Sequence, residues 1–241
     1  VTEYYYSKKG THIYYNRQLN YSTSVTSSLY RFNTVSGDRE LLFSDKGAVK
    51  KVVSDDAGEK YAFLFSKDTV DNKVFSLFFG TTLNPPDKII DGYTPGIPIG
   101  WSLSEHSEIF FSRNSSKLYL GTAKDPVPEK KDTILQEDKP RLDIWNWQDK
   151  KLQPQQLVEM EKEKKRTYLA VYHVDIERFL QLADPDVRNI SIIQKGDADI
   201  GLGNNEQPYL RESGWTGKSL SDYYIIDLKS GIKREIVTGK S

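Results

Sequence analysis

The segment closest to a catalytic signature is Gly92-Tyr-Thr-Pro-Gly96. A nucleophile elbow needs Gly-x-Ser-x-Gly, because its strained turn tolerates only small neighbours while it exposes the serine hydroxyl. No such pentapeptide occurs in the sequence. The Pro-Gly pair and the upstream Asn84-Pro-Pro86 indicate an ordinary irregular loop instead. The hypothesis that this chain is itself a hydrolase is therefore disfavoured, and no catalytic residue is assigned.

Two further segments imitate ligand-binding loops only in part. Gly217-Lys-Ser219 looks like the end of a phosphate loop, but Glu212 replaces the required earlier glycine, and its carboxylate would repel phosphate. Asp197–Gly203 faintly resembles a calcium loop but lacks the third oxygen ligand and the bidentate glutamate. The sequence has no cysteine and three histidines without metal-ligand spacing, His12, His106 and His173. We therefore expect neither a metal site nor a cofactor.

Tryptophan is the residue type best placed to contact a ligand. Trp145 and Trp147 lie two positions apart, which would put both indoles on one face of a strand. There they either pack between sheets, which is the favoured alternative, or line a ligand surface. Trp101 and Trp215 are isolated aromatic residues with the same two alternatives.

The composition indicates a folded chain with a buried core. Hydrophobic residues make up 37% of the 241 residues, and 15 Tyr, 10 Phe and 4 Trp supply bulky apolar surface. Lys and Arg total 34, as do Asp and Glu, so no net charge favours binding to nucleic acid or anionic lipid. No apolar run approaches the roughly 20 residues that a membrane-spanning helix needs.

Two recurring phrases predict a repeat architecture. A polar turn precedes an aromatic strand start in Ser7–Tyr15, Asp55–Phe63 and Leu103–Phe111, with spacings of 49 and 47 residues. Leu29–Phe43 and Tyr223–Val237 are similar hairpins offset by 194 residues, close to four such periods. A repeat of this length built from short aromatic strands is typical of propeller blades. The sequence therefore predicts an all-β fold, a β-propeller with about five four-stranded blades.

Two stretches interrupt the repeat. Residues 124–140 hold nine charged residues and three prolines, which predicts an exposed loop insertion. Residues 154–166 begin with proline and are rich in helix formers, which predicts a short helix. This helix is either a lid or recognition element over a channel mouth or, as favoured, a charged, solvated connection.

The most distinctive segments resemble the N-terminal propeller of prolyl-oligopeptidase-family (S9), dipeptidyl-peptidase-like serine peptidases, especially the large Bacteroidetes forms. Asp143–Asp149, Leu152–Gln156 and Lys165–Tyr172 carry the resemblance. Lys117–Thr122 and Tyr224–Gly231 look like blade strands of the same propellers. The resemblance covers most of the chain, although the matching segments are typical blade strands of the family and not catalytic signatures.

In that family a propeller of seven or eight blades caps an α/β-hydrolase domain and restricts access to short peptides. The resemblance thus implies that residues 1–241 form one propeller domain, as part of such a ring, and that the hydrolase domain lies outside this sequence. Dipeptidyl-peptidase relatives hold the substrate amine with paired glutamates. Glu159 and Glu161 lack the expected aromatic flank, so exopeptidase specificity is in doubt. Together with Trp145, Trp147 and Trp215 they are the candidate substrate or partner contacts.

The resulting functional hypothesis is a non-catalytic propeller portion of an S9-type serine peptidase that gates and positions peptide substrates. The alternative is a freestanding binding module for a protein or glycan partner. The expected partner is a peptide substrate reached through the hydrolase domain of a parent chain, and a homodimer is left open. Nucleic acid and a membrane span are not expected. An extracytoplasmic location, periplasmic or secreted, belongs to the same hypothesis, although the sequence contains no signal peptide.

Overall fold

Short strands form four antiparallel sheets in the computed structural model, which describes residues 3–20, 25–68, 73–126 and 145–240. The first sheet consists of β1 (Glu3–Tyr6), β2 (His12–Asn20), β3 (Val25–Asn33) and β4 (Arg39–Lys46). The second sheet consists of β5 (Ala48–Ser54), β6 (Lys60–Ser66), β7 (Ser76–Thr81) and β8 (Asp87–Ile90).

The third and fourth sheets contain the remaining strands. The third consists of β9 (Trp101–Leu103), β10 (Phe110–Phe111), β11 (Lys117–Lys124), β12 (Tyr168–His173) and β13 (Arg178–Gln181). The fourth consists of β14 (Asn189–Ile192), β15 (Ile200–Asn205), β16 (Ser221–Asp227) and β17 (Lys233–Lys240). The helices are α1 (Gln153–Lys164), α2 (Leu210–Thr216) and a 3-10 turn at Gln194–Gly196.

Each sheet is a meander whose strands pair in chain order. In the third sheet β9 pairs with residues 122–124 of β11 and β10 pairs with residues 118–119 on the same edge, so the two share one strand position. All four sheets therefore have the four-stranded, up-and-down order of a propeller blade.

Apolar clusters join each blade to the next. Phe63 and Phe65 of β6 pack with Tyr14 and Leu29 of the first blade, while Leu64 of the same strand packs against the third blade. In β11 the neighbours alternate in the same way, since Leu118 and Leu120 pack against the second blade and Tyr119 against the fourth. The alternation follows from the two-residue period of a strand. Contacts between β1 and β5 and between β5 and β10 bring first strands of adjacent blades together. The predicted β-propeller is confirmed.

The described residues hold four blades, where the sequence predicted about five. The Ser36-Gly37 and Ser230-Gly231 hairpins are indeed equivalent, since each joins the third and fourth strands of its blade. They lie three blades apart and not four periods apart, because residues 125–167 between β11 and β12 add nearly the length of a blade. The predicted loop at 124–140 begins at the last residue of β11, and its residues 127–140 lie outside the described residues.

The turn between the first and second strands recurs with nearly the same hydrogen bonds. The amide of Ser7 donates to the carbonyl of His12 at 3.0 Å, and the amide of Asp55 donates to that of Lys60 at 3.0 Å. These two turns are 48 residues apart, which agrees with the period read from the sequence. In the third predicted repeat, Leu103–Phe111, the polar turn leads into β10. Since β10 occupies the first strand position of its blade, this turn is not equivalent to the other two.

Buried tyrosine hydroxyls tie these turns to the preceding blade. Tyr14 donates to the carbonyl of Gly58 at 3.1 Å, and Tyr119 donates to that of Gly196 at 2.8 Å. A Cβ on Gly196 would lie 2.6 Å from the Tyr119 ring, so only glycine permits this approach. Burial raises the pKa of Tyr14 to about 12 and raises that of Tyr119 as well, so both hydroxyls stay protonated donors.

Replacing Tyr119 by Phe is expected to lower the free energy of unfolding by about 1–2 kcal/mol, because the Gly196 carbonyl loses its buried donor. Urea unfolding of the wild type and the variant measures this difference. Tyr93→Phe is the matched control, since Tyr93 is 97% exposed. Equal destabilisation by both changes would contradict the role of the bond.

A pH prediction comes from Asp199. Its carboxylate accepts hydrogen bonds from Lys117 at 2.8 Å and Lys229 at 2.5 Å, which lower its pKa from 3.8 to about 2. The ionised form is therefore favoured by folding, and its stabilisation is complete above pH 3.8 and lost as pH falls towards 2. In the Asp199→Asn variant, the free energy of unfolding should therefore fall less steeply than in the wild type as the pH drops from 3.8 towards 2. A variant with the wild-type slope between these pH values would refute the assignment.

Candidate functional site

Two insertions project from one face of the propeller. Because successive strands run in opposite directions, the connections between second and third strands leave all blades on the same face. In the third blade this connection is residues 125–167, which include α1, and in the fourth it is residues 206–220, which include α2. We call this side the insertion face.

Helix α1 is a solvated element, as its sequence indicates. Pro154 lies in its first turn, and the Leu152 amide donates to the Gln155 side chain at 3.2 Å. Lys162 and Lys164 lie in its last turn, where positive charge suits the helix dipole. No residue of α1 is buried. The helix predicted over residues 154–166 is confirmed with slightly earlier bounds.

Arg211 of α2 links the two insertions. Its guanidinium donates to the carbonyl of Trp147 at 3.0 Å and lies 5.6 Å from the centroid of the Trp147 ring. This distance is within cation–π range. Residues 145–152 are held in turn by Gln156, whose amide donates to the Asp149 carboxylate at 3.0 Å and to the Lys151 carbonyl at 2.9 Å. The insertion of the third blade is thus fastened to that of the fourth.

A cavity of about 510 Å³ lies between the insertions, and we call it the tryptophan cavity. Its aromatic lining is Trp145, Trp147 and Trp215, which are 64%, 75% and 87% exposed. The strand predicted around Trp145 and Trp147 is wrong, because residues 145–152 form turns and bends. Their indoles line this cavity and do not pack between sheets. Trp101 lies in β9, and its ring centroid is 4.7 Å from that of Tyr168.

Positive charge predominates around the tryptophan cavity. Lys150, Lys151 and Arg211 line it, whereas Asp149 is the acidic residue of the described lining. Lys151 forms an ion pair with Glu159 at 2.5 Å. Lys150, Arg211 and Asp149 are therefore the charged lining residues without a described ion pair, and together they leave one net positive charge.

The two candidate glutamates lie away from the tryptophans. Glu159 borders a neighbouring cavity of about 430 Å³, which also contacts Glu163 and Arg188. Glu161 is on an exposed part of α1 and pairs with Lys164 at 3.3 Å. The structure thus brings the three candidate tryptophans together but leaves Glu161 outside both cavities.

The sequence analysis missed Arg211 and Lys150. A signal for Arg211 exists, because it precedes Trp215 by four residues and such pairs share one face of a helix. Its partner Trp147, however, is 64 residues away along the chain. No local pattern indicates that contact.

The other motifs have structural positions. Gly217-Lys-Ser219 follows the end of α2 and does not open a helix. Asp197 accepts a hydrogen bond from the Asn114 amide at 2.9 Å, which joins the fourth blade to the third. His173 is buried, and its Nε2 donates to the Leu228 carbonyl at 2.8 Å.

Among the described residues no cluster of three metal-ligating side chains is present. In the same part of the chain, no helix has the length and apolarity to cross a membrane.

No family model and no curated protein matches this sequence. Similar solved structures include the acylaminoacyl peptidase of Pyrococcus horikoshii, with 13% identity, a TM-score of 0.47 and coverage of 95% of this chain and 31% of that chain. Oligopeptidase B from Trypanosoma brucei has 11% identity and a TM-score of 0.46 over 99% and 27% of the two chains. TolB from Acinetobacter baumannii has 11% identity and a TM-score of 0.40 over 98% and 43%.

The structural neighbours therefore include S9 peptidases and TolB-like propellers. This chain spans between 27% and 61% of their lengths. Since identities are 7–13% and TM-scores 0.37–0.49, function has to be argued from the residues of this chain.

Quenching of tryptophan fluorescence tests the charge of the tryptophan cavity. Iodide is an anion and should be concentrated near Lys150 and Arg211, whereas acrylamide is neutral. The variant Lys150→Gln, which removes a charge and no described hydrogen bond, should lower the iodide quenching constant and leave the acrylamide constant unchanged. Lys9→Gln, a change on the first blade, should alter neither constant. Equal loss of quenching by both agents would mean that accessibility, not charge, had changed.

Proposed function

We propose that this chain is the non-catalytic propeller portion of an S9-type serine peptidase, which gates and positions peptide substrates for an α/β-hydrolase domain. The observation that carries the proposal is the tryptophan cavity between the insertions of two adjacent blades. The resemblance of Asp143–Asp149 and Lys165–Tyr172 to propellers of these peptidases supports it. The proposal includes an extracytoplasmic location, periplasmic or secreted, for the parent protein.

A peptide suits the chemistry of this cavity. Flat indole faces accept proline rings and apolar side chains, and each indole N–H can donate to a peptide carbonyl. A volume of about 510 Å³ is within the usual range for small-ligand pockets. Trp215 offers the largest exposed fraction of the three tryptophans, 87%, and therefore the most surface for contact.

Gating would be steric and would come from the insertions. Neither insertion helix contributes a buried residue to the blades, so their positions can influence passage without disturbing the cores between the sheets. The hydrogen bond from Arg211 to Trp147 fixes one insertion relative to the other. Substrates that reach the hydrolase domain along the insertion face would pass the tryptophan cavity.

Fluorescence titration with a proline-containing peptide blocked at both ends tests the proposed function. The chain should bind the peptide saturably without cleaving it. Trp215→Ala should weaken binding by about tenfold or more, because large exposed aromatics dominate such contacts. Tyr93→Ala, which removes another exposed aromatic residue, should leave binding unchanged.

Two results would contradict the proposal. Cleavage of the peptide by the chain, abolished by a serine-directed inhibitor, would show that it carries its own chemistry. Saturable binding of a glycan or a folded protein, with no binding of peptides, would favour the freestanding binding module instead.

A further inference from the structure

The tryptophan cavity contains positively charged side chains that binding an uncharged stretch of peptide does not need. Arg211 has five N–H donors, and the described hydrogen bond to the Trp147 carbonyl employs one guanidinium nitrogen. Lys150 lines the same cavity with no described ion pair. Two positive charges therefore stand beside the indoles with donor capacity to spare.

The same surroundings disfavour a cationic ligand. Three Trp side chains around a cavity can bind an ammonium group by cation–π contacts. Here, however, Lys150 and Arg211, the two lining cations without a described ion pair, would repel it. The acidic residue of the described lining, Asp149, accepts a hydrogen bond from the neutral Gln156 and so keeps one negative charge against these two positive charges. The free amine of a peptide is thus a poor ligand for this cavity, whereas a carboxylate is a good one.

We propose that the tryptophan cavity recognises the C-terminal end of a peptide, with the last side chain, proline or another apolar residue, against the indoles and the α-carboxylate at Arg211 and Lys150. This inference rests on the proposed function, because it names the part of the peptide that the site reads. Arg211 supplies the planar donor pair that matches a carboxylate, and Lys150 supplies a point charge. Trp145 and Trp215 supply the apolar walls.

Both kinds of group are needed at one place for this recognition. A terminal residue presents its side chain and its carboxylate on the same carbon, so a receptor must place apolar and cationic surfaces side by side. The position of Arg211 beside the Trp147 ring meets this requirement, since the guanidinium lies 5.6 Å from the ring centroid.

The experiment compares one tryptophan-free peptide ending in Ala-Pro in two forms, with a free C-terminal carboxylate and with a C-terminal amide, both acetylated at the N-terminus. Binding to the full chain is measured by calorimetry. The acid should bind about tenfold more tightly than the amide, because its hydrogen bonds are charge-assisted. The difference should narrow at high salt.

Variants separate the two halves of the site. Lys150→Gln, for which no described hydrogen bond is lost, should reduce the preference for the acid without weakening the amide. Arg211→Gln should reduce it further. Trp215→Ala should weaken both forms alike, and Lys9→Gln, a lysine on the first blade, should leave both unchanged.

The outcomes distinguish this inference from the proposed function. Equal binding of acid and amide, sensitive to Trp215→Ala, would overturn C-terminal recognition and leave peptide binding intact. Absence of binding by both forms would overturn both proposals. Tighter binding of an acidic oligosaccharide titrated into the same chain would overturn both in favour of an acidic glycan.

Discussion

Each sheet of this protein has apolar faces that it cannot cover alone, and the burial of these faces between successive blades is the interaction on which the other features depend. In β6 and β11 even and odd residues pack against different neighbours, so both strands are buried almost throughout. The tyrosine hydroxyls of Tyr14 and Tyr119 then fix how each turn meets the preceding blade. The helices α1 and α2, in contrast, contain no buried residue and so contribute nothing to these clusters.

The propeller could be predicted from the sequence because the turn before the second strand is a local signal in the first two blades. Ser7 and Asp55 begin equivalent turns, and their spacing gives the blade length directly. The number of blades could not be obtained in the same way. The hairpins at Ser36-Gly37 and Ser230-Gly231 were matched correctly, but an offset between two hairpins does not reveal whether the intervening residues form blades or an insertion. Residues 125–167 have nearly the length of a blade, so the sequence period counts them as one and predicts about five blades where the described residues form four.

The candidate site was predictable in its residue types and not in its arrangement. Trp145, Trp147 and Trp215 could be selected from the sequence as large aromatics suited to ligand contact, whereas their meeting depends on Arg211 reaching from the fourth blade to the third. The period-two spacing of Trp145 and Trp147 suggested a strand, but among the described residues no strand pairs with residues 145–152. Turn hydrogen bonds from Gln156 determine their position instead. Tertiary contact, not local pattern, assembles this surface.

The insertion of the third blade starts and ends on adjacent strands. It leaves β11 at Lys124 and returns at Tyr168, and Tyr168 is the ladder partner of Thr122. Two neighbouring anchor points mean that the length and sequence of the segment between them can vary while the ladder beneath remains the same. Insertion or deletion at this one point can therefore change the segment without rebuilding the blade, and a designer can use the same two strands as a grafting position for a foreign binding loop.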